Sequence, residues 1–101
     1  MLFLTKENEL QIQEKYVCLY FYAPWMPYHS RMTMMISKME QKYKDVTFYA
    51  IDVDFFKNLC KRFEVDSIPT IVILNNIKEF KRVEGVILTS VIKKIFVDIF
   101  K

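Results

Sequence analysis

Seven consecutive residues, Tyr16-Val17-Cys18-Leu19-Tyr20-Phe21-Tyr22, form an apolar and aromatic run that stops at Ala23-Pro24. A strand with one wet face alternates polar and apolar side chains. A run without that alternation is how a strand covered on both faces reads. Such a strand belongs in a central sheet with helices on both sides, the layering of an α/β chain. The chain has 101 residues, and about 100 residues bury one core without staples, so a single domain over 1–101 is expected. Hydrophobic residues make up 52% of it, which excludes a disordered chain. One Gly excludes collagen-like, linker-like and Gly-rich phosphate-loop designs.

Periodicity orders the remaining elements. Leu2 to Leu4 reads as a short strand, and Thr5 as the N-cap of a modest helix holding Leu10 and Ile12. Tyr28, Met32, Met35, Ile36, Met39 and Tyr43 fall on one helical face, with Pro27 in the first turn, where proline is tolerated. Val46 to Val53 reads as a second buried strand. Asp54 is placed to cap a short helix carrying Phe56, Leu59, Cys60 and Phe63. Thr70 to Leu74 is a third strand, Asn75-Asn76 a turn, and Lys78 to Val83 its hairpin partner. Thr89 or Ser90 starts a last helix with Val91, Ile92, Ile95, Phe96 and Ile99 inward. The order is β-α-β-α-β-α-β-β-α. Strands separated by helices are expected to be parallel, and the last pair to be an antiparallel hairpin.

Met1 to Leu4 is too short for a signal h-region, and its flank is acidic where such a region is preceded by basic residues. No apolar stretch reaches the ~18 residues of a membrane span. These features lead us to expect a cytoplasmic, reducing setting with no membrane contact.

The order of elements, and four fragments in it, resemble thioredoxin. The fragments are Phe21-Tyr22-Ala23-Pro24-Trp25, Ile51-Asp52-Val53-Asp54, Phe63 to Thr70 with its Ser67-Ile68-Pro69-Thr70 end, and Gly85 before the last helix. The resemblance covers essentially the whole chain. It implies a thioredoxin fold: a central mixed β-sheet of parallel strands plus a C-terminal antiparallel hairpin, with helices on both faces. In that family a redox Trp-Cys-x-x-Cys motif opens the long helix, beside a cis proline. Here Trp25 is followed by Met26-Pro27-Tyr28-His29. Met26 stands at the position of the nucleophilic Cys and His29 at that of the resolving Cys. A thioether has no proton to lose and imidazole cannot resolve a mixed disulfide, so dithiol exchange is not expected at this site. The family's buried Asp is matched by Tyr20, and its kink proline by Met34. Trp25, Pro69 and Gly85 persist, and the resemblance implies a groove for an extended peptide or protein partner. Its expected lining is Trp25, Met26, Pro27, Tyr28, His29, Ile68, Pro69, Thr70 and Gly85, with Gly85 permitting close approach.

Other chemistries are weaker. Cys18 and Cys60 sit within apolar patterns, as buried free thiols do, and two Cys make neither a disulfide scaffold nor a four-ligand zinc site. Met26 and His29 suit Cu(I), but Met32, Met35 and Met39 lie on the helical stripe, where they fill the core. His29 has no Ser or carboxylate partner for acid–base work, and reads as a polar residue filling a lost Cys position. Trp25 and Tyr28 read as interface anchors. Asp52 and Asp54 are explained by a solvated strand end and a helix cap. Lys57, Lys61, Arg62, Lys78, Lys81, Arg82, Lys93 and Lys94 are scattered over three elements, and a net charge of +3 is mild, so no direct nucleic-acid binding is expected.

The expectation is a monomeric, redox-inactive thioredoxin-like binding or scaffold module, without cofactor or metal. One family use of that kind is as an accessory subunit of a viral DNA polymerase. The alternatives are atypical redox chemistry through Cys60 or His29, which would keep the chain in cell redox homeostasis, and a weak Met/His copper site.

Overall fold

A computed structural model describes residues 1–100. The central run forms strand β2 (Tyr16–Tyr22), and its two sets of side chains enter two different cores. Cys18, Tyr20 and Tyr22 point one way, Val17, Leu19 and Phe21 the other. This is the two-faced burial that an unbroken apolar run requires.

β2 lies in the middle of a five-stranded sheet. The other strands are β1 (Leu2–Phe3), β3 (Val46–Asp52), β4 (Thr70–Asn75) and β5 (Lys78–Glu84), in the order β1-β3-β2-β4-β5. β3 is parallel to both β1 and β2. On one face pack α1 (His29–Lys42), through Met32, Met35, Ile36 and Met39, and α3 (Thr89–Ile99), through Ile92 and Phe96. On the other lies α2 (Lys57–Arg62), through Leu59 with Phe56 and Cys60 beside it. Each fully buried side chain of this size contributes roughly 1.5–3 kcal/mol by leaving water. Among the described residues no helix is long and apolar enough to cross a membrane.

Several expectations are corrected. The helix after Thr5 is a single 3-10 turn, Glu7–Glu9. The Glu9 carboxylate accepts hydrogen bonds from the Thr5 and Lys6 amides at 2.7 and 2.9 Å, which closes the turn, and Leu10 is already extended. β4 runs antiparallel to β2, not parallel. β2 and β3 are parallel and β4 is antiparallel to β2, so the chain enters β4 at the end of the sheet where β3 left it, and the connection through α2 is not a crossover.

The hairpin turn is centred one residue later than Asn75-Asn76. Asn75 still pairs with Lys78, and the left-handed residues are Asn76 (φ 49°) and Ile77 (φ 78°). Tyr28 is outside α1, because its backbone is left-handed (φ 65°) and its ring is exposed; Pro27 therefore also precedes the helix. Val91 faces solvent, since α3 covers the sheet through a narrower stripe built on Ile92 and Phe96.

Candidate binding groove

The loop after β2 turns twice. The Met26 amide donates to the Ala23 carbonyl (3.1 Å) and the His29 amide to the Met26 carbonyl (3.3 Å). This geometry sends alternate side chains to different places. Trp25 is 69% exposed, whereas Met26 is 5% exposed and packs in the core with Met32, Met35 and Tyr22. Met26 was expected to line the groove; it fills the core instead, because a flexible thioether suits an irregular apolar gap.

Trp25 is not loose. Its indole N–H donates to Asp54 Oδ2 at 2.8 Å. Asp54 was expected to cap α2, but no side chain caps that helix. Asp52 instead holds the Asp54 amide through Oδ1 at 2.9 Å, and its carbonyl accepts the Phe55 and Phe56 amides. Asp52 thus shapes the turn that presents the Asp54 carboxylate to Trp25.

His29 is half-buried and stacks on Tyr22, with ring centroids 5.2 Å apart and planes inclined by 15°. Tyr22 in turn stacks on Tyr20 at 5.4 Å. The contact between His29 Nδ1 and Thr33 Oγ1, at 3.5 Å, is at the outer limit of a hydrogen bond. Burial pushes the Tyr20 hydroxyl up to about 12, and no partner of good geometry meets that hydroxyl although Thr33 lies nearby. Burial, and then the Asp52 charge, also raise Tyr22.

The second wall is built from backbone. The Ile68–Pro69 peptide is cis, and the Pro69 carbonyl accepts the Gly85 amide at 2.8 Å. Thr70 pairs with Glu84 across the β4–β5 ladder, and Ser67 Oγ donates to Glu84 Oε2 at 3.3 Å. Gly85 has φ 89°, and a Cβ built on it would meet nothing within 4 Å. Glycine is therefore needed here for its conformation; close approach within the chain does not demand it. Pro69 and Thr70 are buried, and the Thr70 hydroxyl is spent on the Ser67 carbonyl at 2.7 Å.

Trp25 and Ile68 share one site. They line an apolar depression of about 280 Å³ with Val53, Cys60, Val65, Asp66 and Ser67. Tyr28 is exposed beyond it, under the Arg31 guanidinium at 5.1 Å. Sequence reasoning missed Val53, Val65 and Asp66 as lining residues, although Val65-Asp66 adjoin the Ile68-Pro69 segment. Cys60, expected in the core, is half-buried in this wall. Burial, and then the Asp54 charge, raise its thiol above the ordinary range. Cys18 is wholly buried, and desolvation drives its thiol far higher. Among the described residues no three His, Cys, Asp or Glu side chains gather into a metal cluster.

The Thioredoxin family model matches residues 3–97. The chain belongs to the thioredoxin family. Thioredoxin-2 of Saccharomyces cerevisiae is 33% identical over 79 residues, covering 78% of this chain and 76% of that protein. The oxidised mitochondrial thioredoxin 3 of S. cerevisiae superposes with a TM-score of 0.83 at 27% identity, covering 97% of this chain and 94% of that one. An oxidised thioredoxin from Plasmodium falciparum gives 0.88 over 99% of this chain and 98% of that one; at 19% identity it supports the fold alone. This thioredoxin-family chain thus has the family's sheet and helices, with Met26 and His29 in the loop that follows β2.

Proposed function

We propose that this thioredoxin-family chain binds a protein or extended peptide in the groove beside Trp25 and Ile68 and does not turn over disulfides there. The observation that carries the reading is the inward Met26 side chain, 5% exposed, next to an outward Trp25. A position that must present a sulfur nucleophile is occupied by a core side chain, while the neighbouring anchor stays available to a partner. No thiol stands at position 26 or 29. The half-buried Cys60 thiol is raised rather than lowered, the wrong direction for a neutral-pH nucleophile.

The test is insulin reduction by dithiothreitol. Turbidity is expected to rise at the rate of dithiothreitol alone, and catalysis well above that rate would overturn the reading. Its complement is a pull-down from the native cell or virus, repeated with Trp25→Ala; a partner indifferent to the change would remove the groove. A second reading keeps redox function, as the names of the relatives suggest, and places it at Cys60, the one thiol lining the depression. Activity in the same assay that disappears in Cys60→Ser would select it.

A further inference from the structure

We propose that the depression beside Trp25 takes an extended peptide in which an apolar side chain adjoins an arginine. The proposal rests on the reading of this groove as a binding surface and names the chemistry of its occupant. The depression itself is apolar: Val53, Val65, Ile68 and the flank of Cys60 line it with Trp25. An apolar side chain entering it leaves water, whereas a polar one loses hydrogen bonds that these walls cannot replace.

Charge selects the neighbour of that side chain. Asp66 lines the depression; Asp54 holds the Trp25 indole; Glu84 is tied to Ser67, another lining residue. Three carboxylates around one depression run against a chain whose net charge is +3. Among the described residues, no Lys or Arg forms an ion pair with any of the three. Arg82 feels the Glu84 charge, but its guanidinium is already engaged by Glu79 and by the Phe63 and Glu64 carbonyls. The carboxylates are thus left for a cation brought by the partner.

Trp25 favours arginine over lysine. Its N–H is committed to Asp54, which fixes the ring, and the ring is 69% exposed. A planar guanidinium can lie on an indole face while its N–H groups meet a carboxylate, which a compact ammonium does less well. Holding the ring in place beforehand reduces the ordering needed on binding. An acidic peptide, or a nucleic-acid backbone, would meet the same three negative charges.

Trp25 is the single tryptophan, so its emission reports occupancy of this depression directly. The probes are three dodecapeptides free of Trp and Tyr, alternating Leu with Arg, with Lys or with Glu. The Leu-Arg peptide is expected to shift Trp25 emission saturably and to bind at least tenfold more tightly than the Leu-Glu peptide, with Leu-Lys between them. Asp66→Asn with Glu84→Gln is expected to weaken the Leu-Arg peptide at least tenfold while leaving the thermal midpoint unchanged. Asp66→Asn alone serves if the double variant loses its fold. Equal binding of all three peptides, each shifting Trp25 emission, would overturn the charge selection and leave the groove standing. A silent Trp25 with every peptide would overturn the groove and the proposal together.

Discussion

The two walls of the groove are held in place by different means. The Trp25–His29 wall depends on side chains: Met26 is rooted in the core, His29 stacks on Tyr22, and Asp54 steers Trp25. The Ser67–Thr70 wall depends on backbone: the Pro69 carbonyl accepts the Gly85 amide, and Thr70 joins the β4–β5 ladder. A wall held by side chains can exchange its chemistry while its shape is maintained by packing. A wall held by backbone tolerates many side chains but few changes of conformation. The cysteine positions fall on the first kind of wall, and that is where Met26 and His29 stand.

Truncating the root of the first wall sharpens this contrast most. Met26→Ala is expected to destabilise the chain by about 2–4 kcal/mol, the range for a buried large side chain cut to a methyl. Trp25→Ala, one residue away and exposed, is expected to change stability by under about 1 kcal/mol. Urea unfolding of the two variants checks both. Equal small effects would mean that Met26 does not anchor its wall.

On the second wall the expected effect is smaller and has a different origin. Gly85→Ala adds a methyl to open space, so any loss comes from φ 89° alone. About 1–2 kcal/mol is expected, the usual penalty for a left-handed L-residue. The same unfolding measurement reads it, and a neutral result would mean that this wall relaxes without strain.

How far the sequence could be read follows the same division. The unbroken run over β2 and the stripe Met32, Met35, Ile36 and Met39 announce buried elements, because periodicity records which side chains leave water. Direction is not recorded in that way. β4 reads as a good strand, yet nothing in its pattern says that it runs antiparallel to β2. Nor does the pattern distinguish Tyr28, at the correct helical spacing but left-handed, from a true member of the stripe. At the site, Trp25, Ile68 and Gly85 were legible through fragments that resemble thioredoxin. The link between Asp54 and Trp25 joins residues 29 apart in sequence, and nothing local in either one signals it.

Behind the first wall, Tyr20 separates packing from hydrogen bonding. Its ring is wholly buried, and its hydroxyl has no partner of good geometry. A buried polar group left unpaired carries a desolvation penalty of about 1–3 kcal/mol. Tyr20→Phe keeps the ring and removes that group, so a gain of about 1 kcal/mol is expected. A loss instead would show that Thr33 completes a hydrogen bond with it and that a polar link backs the His29 loop.

The smallest expected effect lies where the walls meet, at Cys60. Its thiol is raised first by burial and then by Asp54. A raised thiol holds less thiolate at neutral pH, so iodoacetamide should label Cys60 more slowly than a free thiol, along a profile displaced to higher pH. Asp54→Asn keeps an oxygen to accept the Trp25 indole but removes the charge. Burial remains, so the profile should move only part of the way back, with labelling at pH 8 faster by less than tenfold. The sign for stability follows: a thiol raised in the folded state contributes fully below the unfolded value near 8.5 and progressively less as pH climbs through the folded one. Cys18, wholly buried, shares that sign and should stay unlabelled until the chain unfolds. Native labelling of Cys18 would mean that the sheet opens between β2 and a neighbouring strand on the timescale of the reaction.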